Sequence, residues 1–231
     1  MKQTEMKYEK VFNPAYVGGR DDVLNLVPDN TNKVLDIGCS IGRLGEQIKL
    51  KSNKVEVIGI EIDEQMAKVA KDKLDKVIVE DIENSNLADY FLPNYFNCII
   101  FADILEHVKN PWKLLKSATK YLSNDGVIIV SIPNVRHYTT IINLVIKGYW
   151  PYRERGIHDK THLRFFTLKN IKEMFQNTDL KIIKIKRNYR IIERPHRFNR
   201  FSKYFAFPLF KDFITFQYLV VAKKSGSEDK L

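Results

Sequence analysis

Cysteine is scarce in this chain: two in 231 residues, Cys39 and Cys98, both inside apolar runs. They cannot frame a disulfide scaffold and read as buried thiols of a reducing compartment. No stretch approaches the roughly 18 apolar residues of a membrane-spanning helix. The lysines of 1–10 lack the apolar run of a secretory signal, so the expected location is cytoplasmic. Internal repeats and low-complexity blocks are missing, and 225–231 reads as a polar tail. Acid is missing in one place. Residues 1–180 carry 25 basic and 24 acidic side chains, whereas 181–231 carry 13 and 4. The net charge of +10 therefore describes mainly the last fifth of the chain. That excludes a protein that coats nucleic acid over its whole surface.

What is present is an alternation of short apolar runs with helical patterns. Strands are predicted at 33–37, 55–62, 76–79, 98–102 and 127–132, with helices at 44–50, after 62 and at 111–122. Near-continuous apolar strands in that alternation predict a parallel sheet covered on both faces, wound by right-handed crossovers. Beyond Pro133 the pattern predicts a helix at 135–147 and a helix from an N-cap at Thr167 to about 177, with two last strands at 180–185 and 216–222. Residues 1–224 read as one domain. A lid-like segment at 148–166 and a basic aromatic insertion at 187–213 elaborate its last third.

The densest constellation is Val34-Leu-Asp-Ile-Gly-Cys-Ser-Ile-Gly42, a strand end followed by a glycine turn and a helix. Glycine at 38 and 42 lets backbone approach a ligand closely. Glu61 ends the second strand, 19 residues past Gly42, where a carboxylate can accept ribose hydroxyls. Asp81 closes the third strand. The dinucleotide fingerprint G-x-G-x-x-G fails at two of its three glycines, and no G-K-[ST] follows a strand. Asp36, facing the loop, repels a pyrophosphate and suits a ligand with an amino group. That chemistry points to S-adenosylmethionine.

On these residues the chain resembles class I S-adenosylmethionine-dependent methyltransferases, over about 16–185 and again near 216–223. VLDIGCSIGRLGE looks like the family's first motif, with Ser40 in place of the usual middle glycine. GIEID looks like the second, which implies Glu61 on the ribose and Ile62 against the adenine. EDIE looks like the third, which implies Asp81 near the adenine amino group and Ile82 beside the ring. FNCIIFADILEHVKNPWKLL resembles the fourth, with Asn97 where an aspartate is common and Asp103 at the strand end by the cofactor. LSNDGVIIVSIPN resembles the strand-five motif. The resemblance implies an α/β, Rossmann-like, doubly wound seven-stranded sheet, mostly parallel with a final antiparallel strand, and S-adenosyl-L-methionine as cofactor. GYWPYRERGIHDKTHLRFFT (148–167), together with Tyr16 and Arg20, is similar to a bacterial subgroup associated with sugars, glycans and other hydroxylated metabolites. In that subgroup Arg20 would hold the cofactor carboxylate.

Methyl transfer to a hydroxyl profits from a base. Of five histidines, His162 in the irregular segment is the first candidate and His107, just after the fourth strand, the second. Pinning of the 148–166 segment by His162 and Arg164 is the structural alternative. Asp103, Glu106 and His107 also offer oxygen and nitrogen ligands to a divalent metal, but the expectation is that no metal is held, with Glu106 bonding backbone. Asn134 is a candidate acceptor contact or helix cap. Trp150, Tyr152, Phe165 and Phe166 form a possible apolar wall. The expected acceptor is a sugar, a glycan or another small hydroxylated molecule, with a quinone precursor as the alternative. An NAD or nucleotide-sugar enzyme and an inactive scaffold are the remaining readings.

Residues 196–217 read HRFNRFSKYFAFPLFKDFITFQ. Taken as an α-helix at about 100° per residue up to Phe207, they place Phe198, Phe201 and Phe205 on one face with basic residues around them. This suits an anionic membrane surface touched through 196–213, and with it a lipid-linked glycan acceptor. A homodimer contact is the other partner reading, and single-stranded nucleic acid the least favoured.

Overall fold

In the computed structural model the chain is described at residue 12 and over 17–194, 196–208 and 210–226. Tyr16 and residues 227–231 of the tail lie outside that range. Strands β1 (Lys33–Ile37), β2 (Glu56–Glu61), β3 (Lys76–Val79), β4 (Phe96–Ala102), β5 (Leu122–Pro133), β6 (Leu180–Tyr189) and β7 (Thr215–Lys224) form one sheet. Its order is β3-β2-β1-β4-β5-β7-β6. The pairs from β3 to β5 are parallel, and β7 runs antiparallel between β5 and β6. The expected seven-stranded, mostly parallel sheet with one antiparallel strand is what forms.

Side-chain alternation explains why both faces are buried. Leu35, Ile99, Phe101, Ile128 and Val130 join one core, and Val34, Cys98, Ile100, Val127 and Ile129 join the other. Helices α1 (Asp21–Leu24), α2 (Arg43–Lys51) and α3 (Glu64–Ala70) cover the second core. α4 (Pro111–Thr119) and α6 (Leu168–Gln176) cover the first. A strand with apolar residues in both phases can be stable only between two such layers. Cys39 and Cys98 are buried free thiols whose pKa burial raises. Asn97 accepts from the backbone of Lys33 (3.0 Å) and Asn32 (3.3 Å), so its carbonyl tethers the start of β1.

Three expectations are corrected. The helix expected at 135–147 forms only over 138–146, because the chain before it makes a bridge at Asn134 and a turn at 135–137. Asn134 bridges to Phe166, and the Val135 amide donates to the Phe166 carbonyl at 3.0 Å, which holds the chain extended there. His137 then caps α5 (Tyr138–Ile141), which widens into a π-helical turn at Ile142–Ile146. The helix after His196 is a 3-10 helix, Arg197–Phe205, because Asn199 and Ser202 spend their side chains on the backbone of 191–194. The insertion starts after 189 rather than at 187, since β6 keeps pairing with β7 up to Tyr189. It ends in α7 (Lys211–Ile214). Thr167 does cap α6, in a reciprocal capping box with Asn170.

Candidate active site

The chain steps from β1 through β2 to β3 on one side and then crosses to β4 on the other. The carboxyl ends of β1 and β4 therefore flank a switch-point crevice. A cleft of about 1040 Å3 opens there. Gly38, Ser40 and Gly42 line or close its floor at φ of +74°, +50° and +72°. A Cβ on Gly38 would lie 1.9 Å from the Ile104 side chain. Gly42 caps α2 and leaves only 3.0 Å between its missing Cβ and Ala70.

Asp36 and Glu61 bring acid into this turn. Glu61 is buried; its Oε2 accepts from the Ser40 amide at 2.7 Å and its Oε1 from the Asp63 amide at 3.0 Å. Each oxygen keeps a lone pair for a ligand hydroxyl. Asp36 lines the cleft at 2% exposure, and no side chain among the described residues hydrogen-bonds to it. Burial, and then the Glu61 charge, push its carboxyl up to about 7. A cationic ligand group would relieve that cost. Ile62 stands 66% exposed at the mouth, an apolar surface beside a buried acid. Asp81 and Ile82 stand off the cleft lining. The Asp81 carboxylate is held in its own turn by the Glu83 amide (2.9 Å) and Asn84 (2.7 Å), and Ile82 packs on the core.

At the end of β4, Asp103 sits at φ +60°. Its carboxylate takes Arg20, Gln217 and the Ser131 hydroxyl, the last at 2.9 Å. Arg20 also holds Asp22 at 3.0 Å and donates to Ser131 at 2.8 Å. Burial works against the Arg20 charge, but Asp103 and Asp22 outweigh it and raise its pKa. The Arg20 guanidinium thus lies in the cleft with its donors turned toward protein acids.

The histidines converge from two segments. His107 and His162 line the cleft with ring centroids 4.6 Å apart, edge to face. The Thr161 hydroxyl donates to Asp159 at 2.7 Å, so it can only accept from His107 Nδ1 at 3.0 Å. That assigns the His107 proton to Nδ1 and leaves the lone pair on Nε2. His162 Nδ1 donates to the Ile157 carbonyl at 3.2 Å. Burial lowers the pKa of both rings, and His107 beside it takes His162 down to about 4. Arg164 pins its segment through the Lys109 carbonyl at 2.5 Å. Glu106 is buried with Oε2 unpartnered, and burial together with Asp103 pushes its pKa well up. Ligand atoms of Glu106, His107 and His162 lie within 4.8 Å of one another, a different set from the one anticipated with Asp103.

Several sequence candidates turn out to be structural. Asn134 is fully buried, donates to the carbonyls of Asp212 (2.7 Å) and Thr215 (2.8 Å) and accepts from the Arg136 amide (3.1 Å), so its side chain is spent on backbone, and the cap of the following helix is His137 instead. Trp150 and Phe165 pack on each other at 5.0 Å outside the cleft lining, and Phe166 joins the core. The anticipated apolar wall is therefore absent from the cleft. What lines that side instead is Arg153, Arg155, Arg190, Glu193 and Arg194. Glu193 takes Thr139 at 2.6 Å, Arg153, and His158 at 3.3 Å. Burial would raise its carboxyl, but His158, Thr139 and Arg153 hold it down at about 2. Sequence reasoning missed this hub because its members span 139 to 193 with no common spacing.

The methyltransferase domain profile matches residues 16–185 of this chain. The chain belongs to the methyltransferase domain family. The chain is 30% identical over 143 residues to an uncharacterised protein of Methanocaldococcus jannaschii, covering 61% of this chain and 53% of that one. It is 25% identical over 168 residues to a ubiquinone biosynthesis O-methyltransferase of Nitrosomonas europaea, covering 68% of this chain and 66% of the relative. The chain thus spans between about half and two thirds of the length of these curated relatives. Its fold matches the crystal structure of a SAM-dependent methyltransferase from Archaeoglobus fulgidus with a TM-score of 0.63 at 21% identity, over 94% of this chain and all of the other. The family's methyl donor is S-adenosylmethionine, and the cleft of this chain fits it. The buried Asp36, to which no side chain among the described residues hydrogen-bonds, suits the amino group, the spare lone pairs of Glu61 suit the ribose, and exposed Ile62 suits a flat base.

Proposed function

We propose that this methyltransferase acts on the oxygen of a hydroxylated acceptor, such as a sugar or glycan, with His107 as the base. The observation that carries this reading is the Asp159–Thr161–His107 chain of hydrogen bonds. It orients the imidazole and leaves Nε2 as an acceptor beside the end of β4. When bound, the sulfonium supplies an electrophilic methyl group for in-line displacement. Asp36 and Glu61 then set the donor's position, and Asp159 stabilises the imidazolium that forms as His107 takes the hydroxyl proton. His162 is the weaker base, because a ring held near 4 by burial has little affinity for a proton. It packs its edge against His107 instead. On this reading His107 comes ahead of His162, whereas the sequence alone favours His162. The relatives named for ubiquinone biosynthesis make a phenolic hydroxyl the second acceptor class to examine.

The test is methyl-labelled S-adenosylmethionine offered with sugar, phenol and amine acceptors, alongside His107→Gln and His162→Gln. The expected result is label on a hydroxyl acceptor and a loss of about 100-fold or more in kcat for His107→Gln, with cofactor affinity unchanged. Label on amines alone, or full turnover by His107→Gln, would sink the reading.

A further inference from the structure

The 3-10 helix Arg197–Phe205 sorts its sequence into three rows, because three residues complete a turn and positions i and i+3 eclipse. The sequence there reads as the triplets His-Arg-Phe, Asn-Arg-Phe and Ser-Lys-Tyr. The polar row faces the protein: Ser202 is fully buried, and Asn199 bonds the 191–194 backbone. Next to it runs a basic row, Arg197, Arg200 and Lys203, exposed throughout. The third row, Phe198, Phe201 and Tyr204, stands 50%, 40% and 66% exposed. The basic and aromatic rows touch, with Arg200 4.7 Å from the Phe201 ring and Lys203 5.1 Å from the Tyr204 ring. Phe207 and Phe210 continue the exposed aromatics at 62% and 59%.

A second exposed apolar surface follows α5 in the chain. The π-helical turn ends in Val145 and Ile146, 73% and 75% exposed, followed by exposed Lys147. The start of α5, which leads into that turn, and the 3-10 helix grip the same strip of chain. Tyr138 donates to the Ile191 carbonyl and His137 bonds the Arg190 carbonyl at 2.8 Å, while Asn199 and Ser202 hold the amide of Ile191 from the other side. That strip continues into Glu193 and Arg194, which line the cleft. The elements that carry the two surfaces are therefore both anchored to a strip that lines the cleft.

We propose that these two segments form one docking face for an anionic lipid surface, seated at the rim of the cleft. Charge complementarity selects the occupant. Residues 181–231 carry 13 basic and 4 acidic side chains, and the described acids among them, Glu193 and Asp212, are turned to protein partners. A second copy of this chain would set one basic row against another. A single strand of nucleic acid would use the aromatic row but finds no stacking surface on Val145 and Ile146. Aliphatic and aromatic side chains interleaved with cations match the boundary between head groups and acyl chains. The further step, that the acceptor itself is presented from that surface, rests on the methyl-transfer reading. Docking does not, and it is measured without turnover.

The experiment is co-sedimentation of the full chain with vesicles of phosphatidylcholine alone and of equal parts phosphatidylcholine and phosphatidylglycerol. Binding is expected to the anionic vesicles and to fall as salt rises. The triple variant Arg197→Ser, Arg200→Ser, Lys203→Ser is expected to weaken it ~100-fold, at about fivefold per cation removed. Phe198→Ser with Tyr204→Ser, and separately Val145→Ser with Ile146→Ser, should each weaken it too. All of these side chains are exposed, so thermal melts should match the parent. Equal partition onto neutral vesicles, or unchanged partition of these variants, overturns the proposal. So does a lipid-free dimer that Phe198→Ser with Tyr204→Ser dissolves, which would give the face to a second copy.

Discussion

One cleft in this protein is lined by two regions built on different physics. The carboxyl ends of β1, β2 and β4 are shaped by backbone: Gly38, Ser40, Gly42 and Asp103 all sit at positive φ. The wall that follows β5 is shaped by side chains. There Glu193 gathers Thr139, Arg153 and His158 from segments far apart in the chain. The first region leaves an acid, Asp36, buried with no side-chain hydrogen bond among the described residues; the second pairs its acid so fully that its pKa falls to about 2. The contrast separates ligand binding from architecture. An unpaired buried carboxylate costs stability and is explained by what binds it, while a fully paired one holds loops together.

The largest expected effect breaks the first region. Asp36→Asn should weaken S-adenosylmethionine binding ~100-fold by calorimetry, by removing one charge-assisted contact. It should leave the fold intact. Asp36 has a folded-state pKa near 7, above that of a free carboxyl, so the wild-type fold holds an extra proton between the two values and loses stability as pH rises through about 7. The variant should lose that slope and melt higher than the parent at pH 8. A lower melting temperature there would mean that Asp36 is structural after all.

Glu193→Gln addresses the other region and should cost about 1–3 kcal/mol in chemical denaturation. Here the sign is opposite. A carboxyl held at about 2 contributes stability that is present above its ordinary value and lost as pH falls through about 2. The variant should therefore flatten acid unfolding over that window. Cofactor affinity should not move, and if it falls tenfold the two regions are not separable.

A pH profile sharpens the comparison further. Because Asp36 must ionise to meet a cation, kcat/KM for the cofactor should drop below about pH 7. With cofactor saturating, kcat should persist further into acid, since burial lowers the pKa of His107 and sets that of His162 at about 4. Parallel profiles for the two parameters would contradict this. The smallest effect is expected at Asn97→Asp, within ~0.5 kcal/mol. Either side chain offers an oxygen to the amides of Lys33 and Asn32, and thermal melts would check it.

Legibility followed the same division. Motif spacing placed Asp36, Gly38, Gly42 and Glu61 together because a strand–turn–helix fixes neighbours within about 25 residues of chain. Asp81 and Ile82 were read the same way, yet that turn closes on itself through Glu83 and Asn84. Over 196–204 the α-helical period groups the phenylalanines, but the polar–basic–aromatic triplets carry a period of three. That signal was available and marks the 3-10 helix. Nothing in the sequence announced Glu193 or the Asp159–Thr161–His107 chain, whose members meet only through tertiary packing.

By itself, then, the amino-acid order determined the parallel sheet, the glycine turn with its acids, and the concentration of positive charge after 180, since each is a matter of local period, spacing or count. Tertiary structure decided how His107 and His162 are held against each other, that Asn134 is spent on backbone, and that the basic aromatic helix and the start of α5 grip one strip of chain beside the cleft. Those outcomes depend on hydrogen-bond partners and burial contributed by distant segments, and no local pattern encodes them.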